Sequence, residues 1–419
     1  MGKAKDRAVR PRAVVKKFVR KSAKGKKKTG VNSRRQGVFY SPQKVANTTG
    51  LRGLKVQPFP KLLKWSEAKC KALLMRKKVT FSKLLGRTCW KCNGPLQLSR
   101  DKSHLRCNAK KCHIRLTRPR LAYTPFWRGC CGKKKVTCKD LVRTAYCVGL
   151  RCPQDVTHHL TSCGQKKTDH LVQDCRVALA YAEVQKGVEM TFSDGEVDFD
   201  TVATIADRSS KRKTVHLGRF MAFKERKSKK FCLIPLAGRT VKKGQNLPPE
   251  RYDEVSQHMK NKLLEGSIAM SDSSPSFKKS IKEINKIKCV PSATVVHSKY
   301  EYVRPAKILL SSLPKKMRKK LVKQRPGQVS RVYYHTLAGD QAAEGLFGTV
   351  NNQMRRCNLT GRRNTKRAHI NFLSSARLWI KPGLDSVLEA MSIYRRGIQD
   401  KIDPKKAYGK NVDTKWLNN

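Results

Sequence analysis

The segment Gly195-Glu-Val-Asp-Phe-Asp-Thr-Val-Ala203 gives the strongest indication of the fold class, because acidic and apolar side chains alternate along it. Alternation with a period of two is typical of a β-strand. The segment therefore predicts a strand on which Glu196, Asp198 and Asp200 share one face. Such a concentration of acids is informative in a chain that has 94 Lys and Arg residues against 29 Asp and Glu residues.

The segments that follow this strand predict the element order of a ribonuclease-H-like α/β catalytic core. The patterns indicate strands at 213–223 and 231–236, a helix at 249–264, a strand at 266–272, a helix from 275 and a strand at 289–296. This order, within residues 187–380, predicts a mixed five-stranded sheet with flanking helices. In that fold an acid on the first strand lies beside an acid at the end of the fourth, and a later helix supplies a third.

Two further acids complete the predicted trio. Asp272 ends the predicted fourth strand, and Gly339-Asp-Gln-Ala-Ala-Glu344 supplies the helical acid. Carboxylates gathered from distant positions repel one another unless cations bind between them. Two Mg²⁺ ions, or Mn²⁺, would remove this repulsion, activate a water or a 3′-hydroxyl and stabilise the leaving oxygen of a phosphodiester. The pattern leaves Asp198 as an alternative first acid, and Asp340 as an alternative to Glu344.

The three acidic segments resemble those of DDE transposases, specifically the ISXO type of bacterial insertion sequences and their eukaryotic Merlin relatives. The segments that carry the resemblance, which runs from about residue 89 to residue 379, are 195–200, 270–272, 296–303 and 339–345. The chain departs from the family where Phe347 replaces a usual Trp, and where Asn351 and Asn352 replace a basic residue. The departures bear on the DNA contacts of that helix, while all three acids are present.

The resemblance implies a Mg²⁺-dependent transposase that cleaves double-stranded DNA at transposon ends and joins it to target DNA. It selects Asp200, Asp272 and Glu344 as the catalytic, metal-binding residues, and it places His297 beside them in a supporting role. We expect a homo-oligomer that acts on DNA, with no small-molecule substrate and no membrane partner.

Four cysteines that precede the core have the spacing of metal ligands. Cys89-Trp-Lys-Cys92 is followed by Cys107 and Cys112, and two pairs at this separation can bring four thiolates to one tetrahedral Zn²⁺. We therefore expect a small zinc ribbon at 89–131, with His113 as an alternative ligand. A Zn²⁺ with four protein ligands stabilises the fold and takes no part in catalysis.

Residues 132–186 predict an all-α helix-turn-helix module that binds DNA. Apolar periodicity indicates helices at 136–150, 153–160 and 168–184, with a break at 162–164. The third helix of such a module enters the major groove. The side chains expected to contact DNA at its start are Lys166, Lys167, His170 and Gln173. A plain three-helix bundle that only packs is the alternative.

The net charge of +65 favours a polyanionic partner, and nucleic acid is the first to consider. Residues 1–88, where Asp6 and Glu67 are the only acids, predict a largely disordered basic arm that contacts DNA or directs nuclear import. A solvated tail or an organelle transit peptide is the alternative. The lysine-rich start has no apolar signal segment, and no apolar run is long enough to span a bilayer. We therefore expect an intracellular protein, nuclear if the source is eukaryotic.

Two other segments and two other functions complete the predictions. A basic insert at 304–336, which includes Lys315-Lys-Met-Arg-Lys-Lys320, predicts a basic loop or import signal, and residues 381–419 predict a C-terminal helical tail. The chain could instead be a host-adopted, non-catalytic nuclear DNA-binding protein. An RNA-binding or ribosome-associated protein would also explain the charge and the cysteines, but it would leave the three acids unexplained.

Overall fold

A five-stranded mixed sheet forms the centre of the computed structural model, and helices cover both of its faces. The structure describes residues 59–79, 92, 94–98, 104–109, 112, 115–117, 136–193, 195–205, 214–226, 228–242, 245, 248–299, 301–356 and 365–399. The parts of the predicted arm before residue 59 and of the predicted tail after residue 399 lie outside these residues. Cys89 and His113 also lie outside them.

Between residues 196 and 295 the helices and strands follow one another along the chain in the predicted order. The helices are α1 (Phe59–Leu63), α2 (Glu67–Arg76), α3 (Cys138–Gly149), α4 (Gln154–Leu160), α5 (Gln165–Glu189), α6 (Tyr252–Lys262), α7 (Pro275–Asn285), α8 (Lys315–Gln324), α9 (Gln341–Arg356), α10 (Thr365–Ile380) and α11 (Leu384–Gln399). The strands are β1 (Leu96–Leu98), β2 (His104–Cys107), β3 (Arg115–Thr117), β4 (Glu196–Ile205), β5 (Thr214–Glu225), β6 (Phe231–Lys242), β7 (Ile268–Asp272), β8 (Ser292–Val295), β9 (Arg304–Leu309) and β10 (Tyr333–Ala338). Of these elements, α1, α2, α8, β9 and β10 were not predicted.

The central sheet has the strand order β6-β5-β4-β7-β8. The pairs β6–β5 and β5–β4 are antiparallel, whereas β4–β7 and β7–β8 are parallel. The predicted mixed five-stranded sheet with flanking helices is therefore confirmed. The helices α6 and α7 provide the crossover connections that parallel neighbours require.

Alternation along β4 separates an apolar face from an acidic face. Val197 and Phe199 are fully buried on the side that packs against α6 and α7. The Phe199 ring meets the Phe277 ring of α7 edge to face, with the ring centroids 5.1 Å apart. Burial of each such phenylalanine contributes roughly 1.5–3 kcal/mol. Because this face is fixed by packing, the acids of β4 must point to the opposite face of the sheet.

The opposite face is covered by helices that precede the sheet in the sequence and by helices that follow it. The long helix α5 packs against β6, α10 and α11, and α9 packs against β4 and β5. The helices α3 and α5 of the predicted helix-turn-helix segment share one hydrophobic cluster with α9, α10, α11 and the sheet. α1 and α2, which lie within the predicted basic arm, join the same cluster through Leu62, Leu74 and Val79. The folded unit therefore includes residues on both sides of the predicted boundaries at 88, 186 and 380.

The start of α3 is fixed by a capping box. Thr137 accepts a hydrogen bond from the Asp140 backbone N–H, and the Asp140 carboxylate accepts one from the Thr137 N–H. The other oxygen of Asp140 accepts bonds from the backbone N–H and the hydroxyl of Ser162, both at 2.8 Å. Burial raises the pKa of Asp140, but these hydrogen bonds outweigh it and lower the pKa. The carboxylate thus joins α3 to the turn between α4 and α5.

The prediction of a basic loop at 304–336 is wrong: this segment forms the antiparallel pair β9–β10 with the helix α8 between the strands. Glu196 of β4 holds this segment: its carboxylate accepts hydrogen bonds from Arg325 at 2.6 Å and from the Tyr334 hydroxyl at 2.9 Å, and a third from Thr336. Within the described part of the chain, no helix is long and apolar enough to cross a membrane.

Candidate active site

Asp200 and Asp272 lie on adjacent parallel strands. Asp198 of β4 is opposite Met270 of β7, so the same register, continued by two residues, sets Asp200 level with Asp272. Neighbouring strands are about 4.8 Å apart. Asp272 is the last residue of β7, and its carboxylate accepts a hydrogen bond of 3.1 Å from the Ser274 N–H. The sheet topology alone therefore brings these two acids together.

The charges around Asp200 favour its protonated form. Burial raises the pKa of the Asp200 carboxyl well above its ordinary value, and the negative charges of Asp340, Asp272 and Glu250 raise it further. The N–H of Thr201, which donates to Asp200 at 2.6 Å, acts in the opposite direction. Among the described residues Asp200 has no salt bridge to Lys or Arg. A buried group of like charges without a counterion costs free energy until a cation binds.

Asp272 shares this environment. Burial is the largest cause that raises its pKa, and the charges of Asp340 and Glu250 add to it. The N–H of Ser274 and the side chain of His297 partly oppose the rise. Asp200 and Asp272 are thus affected by the same neighbouring acids, which is the electrostatic pattern expected of carboxylates that converge on one place.

The start of α9 supplies two more acids. Asp340 is only 2% exposed, and one of its carboxylate oxygens lies 3.2 Å from Nε2 of His297. Its other oxygen, Oδ1, is buried without a hydrogen-bond partner among the described residues. Glu344 lies one turn further along the helix and is exposed. Donor atoms of His297, Asp340 and Glu344 all lie within 4.8 Å of one another.

The pKa of the Glu344 carboxyl is affected by Asp340 and His297. Burial of its carboxyl is the first cause that raises the pKa, the charge of Asp340 is the second, and His297 lowers it. The structure thus places Glu344 with Asp340 and His297, and Asp340 in turn acts on Asp200 and Asp272. Asp340 is the residue that connects the strand acids with the helix acids.

Gly339 sets the position of Asp340. Its φ of +143° is unfavourable for other residues, and a Cβ atom at this position would lie 2.8 Å from the Tyr302 carbonyl oxygen. The Gly339 carbonyl accepts a hydrogen bond of 2.7 Å from Arg226. The chain can therefore pass close to residue 302 and begin α9 beside β4 only because residue 339 has no side chain.

Asp198 has a different environment from Asp200, although both lie on the same face of β4. Asp198 is fully buried, pairs with the Arg226 guanidinium and accepts a hydrogen bond of 2.8 Å from the Ala342 N–H. Burial raises its pKa to about 6, against the opposing effect of Arg226. Asp198 therefore links β4 to the first turn of α9, whereas Asp200 faces the other acids.

Glu250 is a further member of the acidic group that the sequence did not indicate. Its charge raises the pKa of both Asp200 and Asp272, and it accepts a hydrogen bond from the Thr201 hydroxyl. It lies in the loop before α6, behind two prolines, where no periodicity marks it. The sequence did indicate Asp340, because an acid four residues before Glu344 lies on the same face of a helix.

The donor atoms of the acidic group fit a hard divalent cation. Carboxylate oxygens are the ligands that Mg²⁺ and Mn²⁺ prefer. The buried Oδ1 of Asp340, which has no partner among the described residues, has the environment of an oxygen that binds a cation rather than a protein donor.

Three of the four predicted zinc ligands lie together. Cys107 ends β2 of the three-stranded antiparallel sheet β1-β2-β3, and its sulfur is 3.4 Å from the sulfur of Cys92. Donor atoms of these two residues and Cys112 lie within 4.8 Å of one another. Sulfurs that share a tetrahedral Zn²⁺ are roughly 3.8 Å apart, given Zn–S bonds of about 2.3 Å. The three residues therefore form a possible metal-binding cluster.

The predicted DNA-contacting residues lie in the first turns of α5. Lys166 and His170 are exposed, whereas Lys167 and Gln173 are half-buried. Asp169, between them, contacts Gln154 and His158 of α4. Residues 174–183 of this helix are all buried, so a large partner can reach the helix only near its two ends.

Comparisons of the chain with known protein families, with curated proteins and with solved structures found no match.

Proposed function

We propose that the protein is a DNA transposase that catalyses metal-dependent phosphodiester cleavage and strand transfer on a ribonuclease-H-like core. The observation that carries this proposal is the convergence of acids from β4, β7 and the start of α9. Asp200 and Asp272 are level on adjacent parallel strands, and the charge of Asp340 acts on both of them. Glu344 lies one helical turn from Asp340.

The order of elements supports the same reading. Three antiparallel strands, a helix, a parallel strand, a second helix and a last strand follow one another along the chain. This is the order expected of a ribonuclease-H-like core, in which the first and fourth strands each carry an acid. Acidic residues scattered on a protein surface would not be expected to bring carboxylates from three separate elements, β4, β7 and α9, to one place.

The proposed roles follow from these positions. Asp200, Asp272 and Glu344 would hold two Mg²⁺ or Mn²⁺ ions, and His297 would support them. Such ions, when bound, polarise the scissile phosphate, activate a water or 3′-hydroxyl and stabilise the leaving oxygen. The chain's own acids would fix the positions of these ions, so that the attacking hydroxyl and the phosphate are in line for displacement, and no covalent bond to the protein is needed.

The remaining parts of the chain would bind the substrate. Its net charge of +65 would be neutralised by DNA phosphates. We propose that the cysteine cluster holds a structural Zn²⁺ in a zinc ribbon, and that the start of α5 and the basic arm contact the transposon ends. Transposition needs two ends to be held together, so a homo-oligomer is part of this proposal.

A cleavage and strand-transfer assay tests the proposal. The substrate is a plasmid that carries the genomic flanks of the gene, incubated with the full chain in Mg²⁺ or Mn²⁺. We expect nicked and joined products, and a loss of at least about 100-fold with Asp272→Asn, since even residues that merely orient metal ligands contribute 10–100-fold. The matched control is Asp253→Asn, because the Asp253 side chain is 67% exposed and lies outside the acidic group.

Undiminished activity of the Asp272→Asn variant would exclude the assigned site. Tight binding to duplex DNA without any cleavage by the wild type would support the host-adopted, non-catalytic protein. Preferential binding of RNA in competition with duplex DNA would support the RNA-binding alternative.

A further inference from the structure

The group formed by His297, Asp340 and Glu344 has the composition of a cation site in its own right. Their donor atoms lie within 4.8 Å of one another. Ligands on opposite sides of a small divalent ion are about 4.2 Å apart, given metal–oxygen bonds of about 2.1 Å. Adjacent ligands of such an ion are about 3.0 Å apart, close to the 3.2 Å between Nε2 of His297 and the Asp340 carboxylate, so the three residues are near enough for side-chain adjustment to bring them to one ion.

Asp340 gives an independent indication that a ligand belongs here. The residue is 2% exposed, and its Oδ1 atom has no hydrogen-bond partner among the described residues. A buried carboxylate oxygen without a partner costs roughly 1–3 kcal/mol or more. A cation bound to this oxygen would remove that cost, and the imidazole of His297 already lies 3.2 Å from the other oxygen.

The three residues are held by separate, well-anchored elements. His297 follows β8 in a short 3₁₀ helix, and its ring lies 5.4 Å from the ring of Tyr302, measured between centroids. Asp340 is fixed by Gly339 and by the hydrogen bond from Arg226 to the Gly339 carbonyl. Glu344 is exposed and leaves the site open on one side, where water or a phosphate oxygen can complete the coordination of the ion.

The donor set distinguishes this site from the pair of strand acids. Asp200 and Asp272 offer oxygen alone, which suits Mg²⁺. An imidazole nitrogen beside two carboxylates favours Mn²⁺ and later transition metals over Mg²⁺. We propose that His297, Asp340 and Glu344 bind one divalent cation, with Mn²⁺ bound more tightly than Mg²⁺, next to the pair Asp200 and Asp272.

This inference deepens the proposed function and rests on it for its biological use, but metal binding can be measured without DNA. It also changes the roles assigned to two residues. His297 becomes a metal ligand rather than a supporting residue, and Asp340 joins Glu344 as a ligand.

The test is a titration of the full chain with Mn²⁺, followed by the electron paramagnetic resonance signal of the free ion, with Mg²⁺ as competitor. We expect the wild type to bind Mn²⁺ at least 10-fold more tightly than Mg²⁺. His297→Asn should bring the two affinities within about threefold, and Asp340→Asn should abolish the Mn²⁺-selective site. Asp253→Asn serves as the control, because its exposed side chain lies outside this group of residues.

Thermal unfolding of each variant shows whether it is folded, and His297→Asn keeps the test informative if Asp340→Asn does not fold. An unchanged Mn²⁺ preference in folded His297→Asn would overturn the inference, as would the absence of Mn²⁺ selectivity in the wild type. Selective binding that persists in Asp272→Asn supports the assignment of the ion to His297, Asp340 and Glu344. If the chain binds Mn²⁺ selectively but does not cleave DNA, the proposed function fails while the cation site stands, and cleavage without selective binding gives the reverse result.

Discussion

Replacement of Asp340 by Asn should make the metal-free protein more stable, although it removes a residue of the proposed active site. Asparagine keeps the size of the side chain, can still accept a hydrogen bond from His297, and remains a favourable residue before a helix. The substitution therefore removes the negative charge and little else. In the wild type this charge raises the pKa of Asp200, Asp272 and Glu344.

The size of the effect follows from Coulomb's law. Carboxylate oxygens of Asp340 and Glu344 lie within 4.8 Å, and two unit charges at that distance repel by about 3.5 kcal/mol at an effective dielectric constant near 20. Because Glu344 is exposed, solvent screening reduces this contribution to about 1 kcal/mol. Relief of the repulsion with the half-buried Asp272 adds a similar amount. We expect a net stabilisation of about 2 kcal/mol, or a rise in Tm of a few degrees.

The assay is urea and thermal unfolding at pH 7 and low salt, first in EDTA and then with saturating Mn²⁺. The variant should be the more stable protein in EDTA. Added Mn²⁺ should stabilise the wild type and have a much smaller effect on the variant. Equal or lower stability of the variant in EDTA would refute the argument that Asp340 repels its neighbours, and equal stabilisation by Mn²⁺ would refute its role as a ligand.

Three other substitutions test separate parts of the structure. Asp198→Ala should destabilise the chain by about 3–5 kcal/mol in urea unfolding, because it leaves the Arg226 guanidinium without its buried partner. Glu254→Gln should cost about 3 kcal/mol at pH 7, because two arginines lower the pKa of Glu254 from 4.5 to about 2. This stabilisation is present above pH 4.5 and is lost as the pH falls towards 2, so the stability difference between the two proteins should disappear there. Cys107→Ser should remove the bound zinc, measured as metal content after dialysis, and lower the Tm of the segment it folds.

The sequence was sufficient to predict the central sheet because its signals are local. The period-2 pattern around Asp200 marks β4, and the short apolar run that ends in Asp272 marks β7. The order of these strands and helices restricts the topology to few arrangements. Asp272 could therefore be placed beside the acids of β4 without any knowledge of side-chain contacts.

The roles of individual acids could not be predicted in the same way. Glu196, Asp198 and Asp200 share one face, and a period of two treats them alike. Their roles differ because Arg325 and Arg226, which are distant in sequence, pair with the first two and leave Asp200 to the other acids. The bounds of α5 differ from the predicted 168–184 for a similar reason, since tertiary packing extends the helix beyond its apolar pattern.

Arg226 and Arg325 pair with Asp198 and Glu196 and not with Asp200, so an unpaired acidic group persists within the described part of a chain with a large excess of basic residues. With 94 basic residues available, the buried acids Glu183, Glu196 and Asp198 each pair with a Lys or Arg. Asp200 and Asp272 have no Lys or Arg partner among the described residues, although pairing would stabilise the fold. An arrangement that leaves Asp200 and Asp272 without a Lys or Arg partner among other carboxylates has a cost in stability. A bound metal cation would offset that cost in the place of a Lys or Arg side chain. The stability of the Asp340→Asn variant in EDTA measures the part of the cost that the Asp340 charge contributes.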